Sequence, residues 1–431
     1  MKKVLMVAHQ FPPVGGSGVQ RSAKFAKYLP LYGWEPVVLT RDQGKMVLRD
    51  ESLLKELPEN MEIIRTPAYD LTVLPGILNK VGKFIAWKIL IPDGEVLWMK
   101  KAVKACLERI GAGDINVLYT TSYPYSGHLL GLEVKKHYPK LVWLADFRDE
   151  WTNNPYLIDK PHRSSRMKKE REMEKEVLEK ADVLVTNTPI MKENFVRLNP
   201  DLDLETRMHV IPNGFDTEDF KDLPKEKIKN SKFTITYTGA LYGRRKPDLF
   251  LEAVGNLVKS GKIQKEKIRI RFIGSFKHNV LKNLINKNGL EGSVETIGYM
   301  EHGECLKKMM ASDAMLLLEG GGPGSEAFYT GKIFEYIQTN NPILAVIPEN
   351  GAAAMLIRDT KTGIICNWSD VKAIEKGFLD MYESWEKGEN IIDPDYEEIA
   401  RYDRKVLTGK LVELFNKFNK VEQQPHGEDT K

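Results

Sequence analysis

The sequence predicts an α/β protein of two doubly wound domains in series. Three observations carry that reading. Short β-rich apolar runs alternate with helical stretches along most of the chain, the pattern of a largely parallel sheet covered on both faces. The alternation breaks near Val210-Ile-Pro-Asn-Gly214, crosses the polar stretch 216–231 and restarts. And 431 residues exceed what one ordinary core organises.

In the first half, residues 3–8 read as a buried strand. Residues 18–31 read as a helix whose inner stripe is Val19, Phe25, Ala26, Tyr28 and Leu29. Further strands are expected at Trp34–Thr40, Met61–Arg65, Val117–Tyr119, Leu141–Leu144 and Val183–Thr186, with helices at 96–110, 126–137 and 165–180. The second half places strands at 234–238, 268–273, 294–297, 314–318, 343–346 and 363–365. Helices at 247–259, 279–288, 303–310, 331–338 and 351–357 separate them. A last helix, roughly 403–420, carries Val406, Leu407, Leu411, Leu414 and Phe415 on a core-like face. The resulting partition is a first domain at 1–209, a second at 210–400, the helix at 401–422 and a polar, disordered tail at 423–431. Two such domains make a cleft, and open sheets bind ligands beyond the carboxyl ends of their strands.

Lys plus Arg number 64 against 60 Asp plus Glu, an excess too small to call for nucleic acid as a partner. Cys106, Cys305 and Cys366 are widely spaced and suggest neither a disulfide framework nor a zinc knuckle, so a reducing cytoplasm is the simpler home. The eight histidines show no metal-ligand spacing, and no metal is expected. The apolar run at the start is too short for a signal-peptide core, and no stretch reaches the length of a spanning helix. The expectation is a soluble protein or one peripheral to a membrane.

The candidate site residues sit just after expected strands. Gly15, Gly16, Ser17 and Gly18 precede a helix and can turn backbone N–H groups toward an anion. The spacing is neither a dinucleotide fingerprint nor a P-loop, and a plain flexible turn is the competing reading. Arg21 faces either the cleft or a surface salt bridge. His9 ends the first strand, as an active-site group or as a structural hydrogen-bonder. In Ala145-Asp-Phe-Arg-Asp-Glu-Trp151, Asp146 or Asp149 can accept a proton from an acceptor hydroxyl, with Arg148 orienting it; an ion-pair network that fixes the loop is the alternative. Thr121 to Ser126 offers hydroxyls and rings suited to a sugar, although helix capping alone accounts for Ser126.

In the second half, Arg244, Arg245 and Lys246 follow the turn at Gly239, where cations can neutralise a diphosphate; Arg245 leads, and a solvated charge run competes. Gly274 ends the next strand, where it lets the chain pass close under a base. The loop Glu319–Ser325, with Gly324 and Ser325, leads into Lys332 and Glu335, three apart on one helical flank. Cation on phosphate and carboxylate on ribose is one arrangement for a sugar nucleotide; two ordinary surface residues is the other. Residues 72–91 mix Leu78, Phe84, Trp87, Ile89 and Leu90 with Lys80, Lys83 and Lys88, as an interfacial segment or an ordinary packed helix. A basic cluster follows at Arg163, Arg166, Lys168, Lys169 and Arg171.

Five segments together resemble the GT-B retaining glycosyltransferases of family 4, particularly bacterial enzymes of surface polysaccharides. They are Phe11-Pro-Pro-Val-Gly-Gly-Ser-Gly18, Ala145-Asp-Phe-Arg-Asp-Glu-Trp151, Ile211-Pro-Asn-Gly-Phe-Asp216, Tyr237-Thr-Gly-Ala-Leu-Tyr-Gly243 and Gly331-Lys-Ile-Phe-Glu-Tyr336. The resemblance implies two Rossmann-like domains facing across a cleft, with the last helix crossing back to the first domain. It also implies a metal-independent transfer from a UDP- or GDP-linked sugar, a co-substrate rather than a cofactor, to a glycan or lipid-linked acceptor. Arg245 and Lys332 would hold phosphate, Glu335 would hold ribose as the second glutamate of an E-x7-E signature, and the 15–18 loop would approach the donor phosphate. Asp146 falls where many relatives use a histidine. Two positions depart from the pattern: Ala327 stands at the first signature glutamate, with Glu326 one residue earlier, and Ala240 follows Gly239 where an arginine is usual. The alternatives are a nucleotide-sugar epimerase of the same fold and a noncatalytic sugar-nucleotide-binding subunit.

Overall fold

The structure, a computed structural model, describes residues 1–42, 49–159, 162–224 and 230–421. The tail expected at 423–431 lies outside them. The chain forms two compact units, Met1–Pro212 with Arg404–Lys431, and Asn213–Asp403.

Unit 1 holds a sheet of seven strands: β1 (Lys2–Val7), β2 (Trp34–Arg41), β3 (Glu62–Thr66), β4 (Ile115–Thr121), β5 (Val142–Phe147), β6 (Val183–Thr186) and β7 (Met208–Val210). Their order is β3-β2-β1-β4-β5-β6-β7, and every pairing is parallel. Unit 2 holds β8 (Phe233–Thr238), β9 (Ile268–Ile273), β10 (Val294–Ile297), β11 (Ala314–Leu318), β12 (Ile343–Ile347) and β13 (Gly363–Asn367). These are again all parallel, in the order β10-β9-β8-β11-β12-β13. Both orders run outward from the first strand and then restart on its other side. This is the doubly wound Rossmann arrangement, whose switch points fall between β1 and β4 and between β8 and β11. The central strands are continuous apolar runs, as strands covered on both faces must be; Ala314–Leu318, for example, is buried throughout.

The helix Arg404–Val421 belongs to unit 1. Leu407, Leu411, Val412, Leu414 and Phe415 join the core of Val4, Phe25 and Trp34, and the Phe415 ring lies 5.1 Å from that of Trp34. Each such side chain taken from water contributes about 1.5–3 kcal/mol, so the stripe accounts for the docking. Val406, expected on that face, is 42% exposed, because it lies one residue off the stripe. The structure adds a helix absent from the sequence reading, Val371–Lys387. Asp370 caps it by accepting from the amides of Lys372 and Ala373, and Ile374, Phe378, Met381 and Tyr382 are buried along one face. Helix Pro189–Leu198 is a second such addition; Thr188 accepts from the Met191 amide and proline occupies the first turn.

Candidate functional site

In unit 2 the predicted residues gather at the carboxyl ends of β8, β9 and β11. Gly239 leaves β8 with φ 102° and Gly274 leaves β9 with φ 138°. A Cβ on Gly274 would fall 2.3 Å from the Gly239 carbonyl oxygen, so the two turns touch backbone to backbone and only glycine fits there. Gly239 N–H donates to the Ile273 carbonyl at 2.8 Å, and Leu241 N–H to that of Ser275 at 2.9 Å.

Lys332 opens the helix Lys332–Gln338 and turns its ammonium into this corner. Its stem is partly exposed, but Nζ is buried and has no hydrogen-bond partner among the described atoms. The ammonium lies 3.8 Å from the centroid of the Tyr237 ring and 3.0 Å from where a Cβ on Gly239 would sit. Burial pushes its pKa well below the usual lysine value and Arg245 adds to the effect, while Glu319 and Glu335 oppose it. Glu319, directly after β11, is buried with Oε1 unpartnered among the described atoms; burial pushes its carboxyl up to about 7, against the pull of Arg245, Lys332 and Thr330.

Arg244 and Arg245 part company. Nη1 of Arg244 donates to the Pro323 carbonyl at 3.1 Å, and its own carbonyl accepts from Gly320 N–H at 3.0 Å, so it fastens the glycine loop. Its guanidinium lies against Gly322, where a Cβ would come within 2.9 Å. The Arg245 guanidinium instead lies near two rings, 5.0 Å from Tyr242 and 5.5 Å from Phe328, and Nη1 donates to the Tyr242 hydroxyl at 3.0 Å. Gly324 turns the chain with φ 78°, and the Ser325 hydroxyl donates to the Gly322 carbonyl at 2.7 Å. Ala327 is buried and Glu326 exposed. Glu335 is half-buried, and its Oε1 lies 2.8 Å from Nε2 of His302, the first residue of helix His302–Met310.

In unit 1, Asp146, next to last in β5, lies fully buried beside equally buried Arg21. Nε and Nη2 of Arg21 donate to the two carboxylate oxygens at 2.8 Å each, and the Tyr119 and Thr121 hydroxyls donate to Oδ2 at 2.5 and 3.2 Å. Burial favours the neutral acid, but the Arg21 charge and these hydrogen bonds outweigh it and hold the carboxyl below its ordinary value. Arg21 also donates to the carbonyls of Ile211 and Pro212 at 2.8 Å. This geometry fits the ion-pair reading of the segment better than proton acceptance: both oxygens are occupied and no solvent reaches them. Arg21 faces the interior, and the surface salt bridge is set aside.

Arg148 donates to the carbonyls of Gly18, Ser122 and Tyr123, tying the glycine turn to the loop after β4. Gly16 has φ 109° and is exposed at the start of helix Ser17–Tyr28, which no side chain caps among the described residues; the Ser17 side chain lies outside them. His9 is buried edge-on to Trp98, ring centroids 5.0 Å apart, and Nδ1 has no partner among the described atoms. Burial and the Arg41 charge lower its pKa to about 3 and keep it neutral. Asp149 is half-buried.

Ser126 does not cap its helix. Its amide donates to Asp93 Oδ2 at 3.0 Å. Asp93 is buried with Oδ1 unpartnered among the described atoms, and burial, reinforced by Glu95, pushes its carboxyl up to about 7. The sequence reading passed over Asp93, His302, Tyr237 and any role for Glu319. Glu319 was within reach, since it directly follows the apolar run Ala314–Leu318 at a strand's carboxyl end. No local spacing points to the others.

The two-domain fold agrees with the comparisons to known proteins. Residues 16–219 match the model of Glycosyltransferase Family 4, and residues 218–398 match that of Glycosyl transferases group 1. Among solved structures, the chain is similar to sucrose-phosphate synthase from Thermosynechococcus elongatus at 14% identity and TM-score 0.64, over 98% of this chain and 100% of that one. A trehalose-6-phosphate structure from E. coli bound with UDP-2-fluoro glucose matches at 11% identity and TM-score 0.65, over 98% and 100%. TarM of S. aureus, in complex with UDP among other ligands, matches at 12% identity and TM-score 0.59, over 96% and 100%. No curated protein sequence matches significantly. The fold is GT-B, and the protein is glycosyltransferase-like, with a family 4 segment followed by a group 1 segment. The two segment matches support an enzyme of the glycosyltransferase type.

Proposed function

We propose that the protein is a retaining glycosyltransferase that moves a sugar from a UDP- or GDP-linked donor to a glycan or lipid-linked acceptor. The observation that carries this reading is the buried, unpartnered Lys332 ammonium beside Arg245 and the touching glycine turns. A buried cation without a hydrogen bond is costly, and a diphosphate supplies both the counter-charge and the acceptors. As the bond from the sugar to the diphosphate breaks, negative charge grows on the leaving oxygens; Lys332 and Arg245 stabilise it without a base being needed there. Glu335 accepts from ribose hydroxyls, and His302 orients its carboxylate. Asp146 positions Arg21 and takes no proton. Arg244, Gly324 and Ser325 shape the loop.

The buried Ala327 at the first signature position, with Glu326 turned outward, favours a second reading, a noncatalytic subunit that binds sugar nucleotides. The protein incubated with UDP- and GDP-sugars, membrane extract and soluble glycans distinguishes these by mass spectrometry of the products. Transfer adds one sugar to an acceptor and releases a nucleoside diphosphate. An isomerised donor without acceptor identifies an epimerase, and tight donor binding without turnover identifies the noncatalytic subunit.

A further inference from the structure

One stretch of unit 1 is built inside out. Helix Ile77–Phe84 continues into the wider turn Ile85–Ile89, and its small residue is the one that faces in. Gly82 is buried so tightly that a Cβ would fall 1.9 Å from the Leu71 carbonyl oxygen. The large apolar side chains go the other way. Ile77, Leu78, Val81, Phe84, Trp87 and Ile89 are all exposed, from 43% at Trp87 to 78% at Ile77. Single exposed apolar residues are ordinary on a soluble surface, but six within thirteen positions is a concentration that calls for a partner.

The charges on this stretch say which partner. Residues 77–91 contain Lys80, Lys83 and Lys88, all exposed, and no acid. Lys88 Nζ lies 4.2 Å from the centroid of the Trp87 ring, a cation beside an amphipathic ring. The segment is also anchored: Arg166 donates to the carbonyls of Trp87 and Pro92 at 2.8 Å each, and the His162 ring lies 5.0 Å from Trp87. Arg166 lies in the first turn of helix Ser164–Lys180; at and just inside its start Arg163, Lys168, Lys169 and Arg171 are exposed and Glu170 is buried against Arg166, while the exposed acids Glu172, Glu176 and Glu179 lie further along, Glu172 4.0 Å from Lys168. An apolar face interleaved with lysines and flanked by further cations complements an anionic bilayer surface, with rings and aliphatic chains among the acyl boundary and ammonium groups at the headgroups. Among the described residues no helix is long and apolar enough to cross a membrane, so the contact is one of lying on the surface.

We infer that the Ile77–Ile89 face docks the protein on an anionic lipid surface. The inference deepens the proposed transfer by bringing a lipid-borne acceptor within reach, and it rests on that reading only for its purpose.

The test uses the full chain, without donor or acceptor, sedimented with phosphatidylcholine vesicles that either contain or lack phosphatidylglycerol. Binding to the anionic vesicles, weakened by added salt, is expected. Phe84→Ser with Trp87→Ser lowers the partition coefficient about tenfold or more, and Lys80→Gln with Lys83→Gln and Lys88→Gln removes the preference for anionic vesicles. Thermal melts and nucleoside diphosphate binding of each variant confirm that it folds. Wild type that ignores the vesicles overturns the proposal, as do variants that bind as wild type does. So does a dimer in solution that the Phe84→Ser, Trp87→Ser variant dissolves, which gives the face to a second copy. Failure of the donor reading appears instead as loss of nucleotide binding with vesicle binding intact.

Discussion

Arg21 and Asp146 meet in two parallel hydrogen bonds of 2.8 Å, with neither side chain in contact with solvent. The pair joins the helix after β1 to the end of β5, and through the Ile211 and Pro212 carbonyls it also fixes the end of unit 1's first segment. Removing one partner strands a buried charge, so Asp146→Ala is expected to destabilise the protein by about 3–5 kcal/mol. Chemical denaturation measures this. Arg21→Met with Asp146→Leu is expected to recover much of the loss, since neither charge is then left alone. Asp146→Ala that keeps full stability while losing transfer would return Asp146 to a chemical role.

Lys332 is expected to behave in the opposite sense. Its ammonium is buried without a hydrogen bond, so Lys332→Met relieves a penalty in the free protein and leaves its melting temperature equal or higher. The same change removes a charge aimed at the diphosphate. Stabilisation by UDP or GDP is expected to shrink as the Kd rises about tenfold or more, roughly 1.4 kcal/mol. Thermal shift with and without nucleotide reads both. A variant that melts lower and still binds nucleotide contradicts the assignment.

The sequence made the carboxyl ends of the strands legible, because the alternation of runs says where each strand stops and which residues come next. Gly239 and Gly274 were reachable that way, and Lys332 and Glu335 through the glycine loop that leads into their helix. The separate fates of Arg244 and Arg245 were not: one turn sends the first to the glycine loop and the second to the rings of Tyr242 and Phe328, a difference set by contacts some eighty residues away. His302 meets Glu335 across 33 residues of chain, so no local spacing announces it. Ser126 looked like its own helix cap, yet Asp93 supplies the acceptor from 33 residues earlier. Helix Val371–Lys387 is a different case, since Ile374, Phe378, Met381 and Tyr382 do repeat at helical spacing and the signal was there to be read.

The His302–Glu335 contact of 2.8 Å lends itself to a double-mutant cycle. Glu335→Ala is expected to weaken nucleotide binding about tenfold, as loss of hydrogen bonds to a charged group does. His302→Ala is expected to weaken it only about threefold, because the histidine acts through the carboxylate. If it does act so, the double variant binds no worse than Glu335→Ala alone. Calorimetric titration with UDP and GDP measures all four proteins. Additive losses would mean that His302 touches the ligand itself.

Asp93 gives a prediction in pH. Its folded pKa of about 7 lies above the ordinary 3.8 chiefly because burial penalises the charged form, with Glu95 adding to the effect against hydrogen bonds from Ser126 and Tyr125. Between those two values the folded protein holds a proton that the unfolded chain has lost. Stability contributed by this group is therefore present at low pH and falls as pH rises toward about 7. Asp93→Asn keeps an oxygen to accept from the Ser126 amide and cannot ionise. It is expected to flatten this part of the profile and to be more stable than wild type at about pH 8, by on the order of 2 kcal/mol, while differing little at about pH 4. Denaturation midpoints at the two pH values decide it. A difference that is the same at both would assign Asp93 a purely steric place under the helix that begins at Ser126.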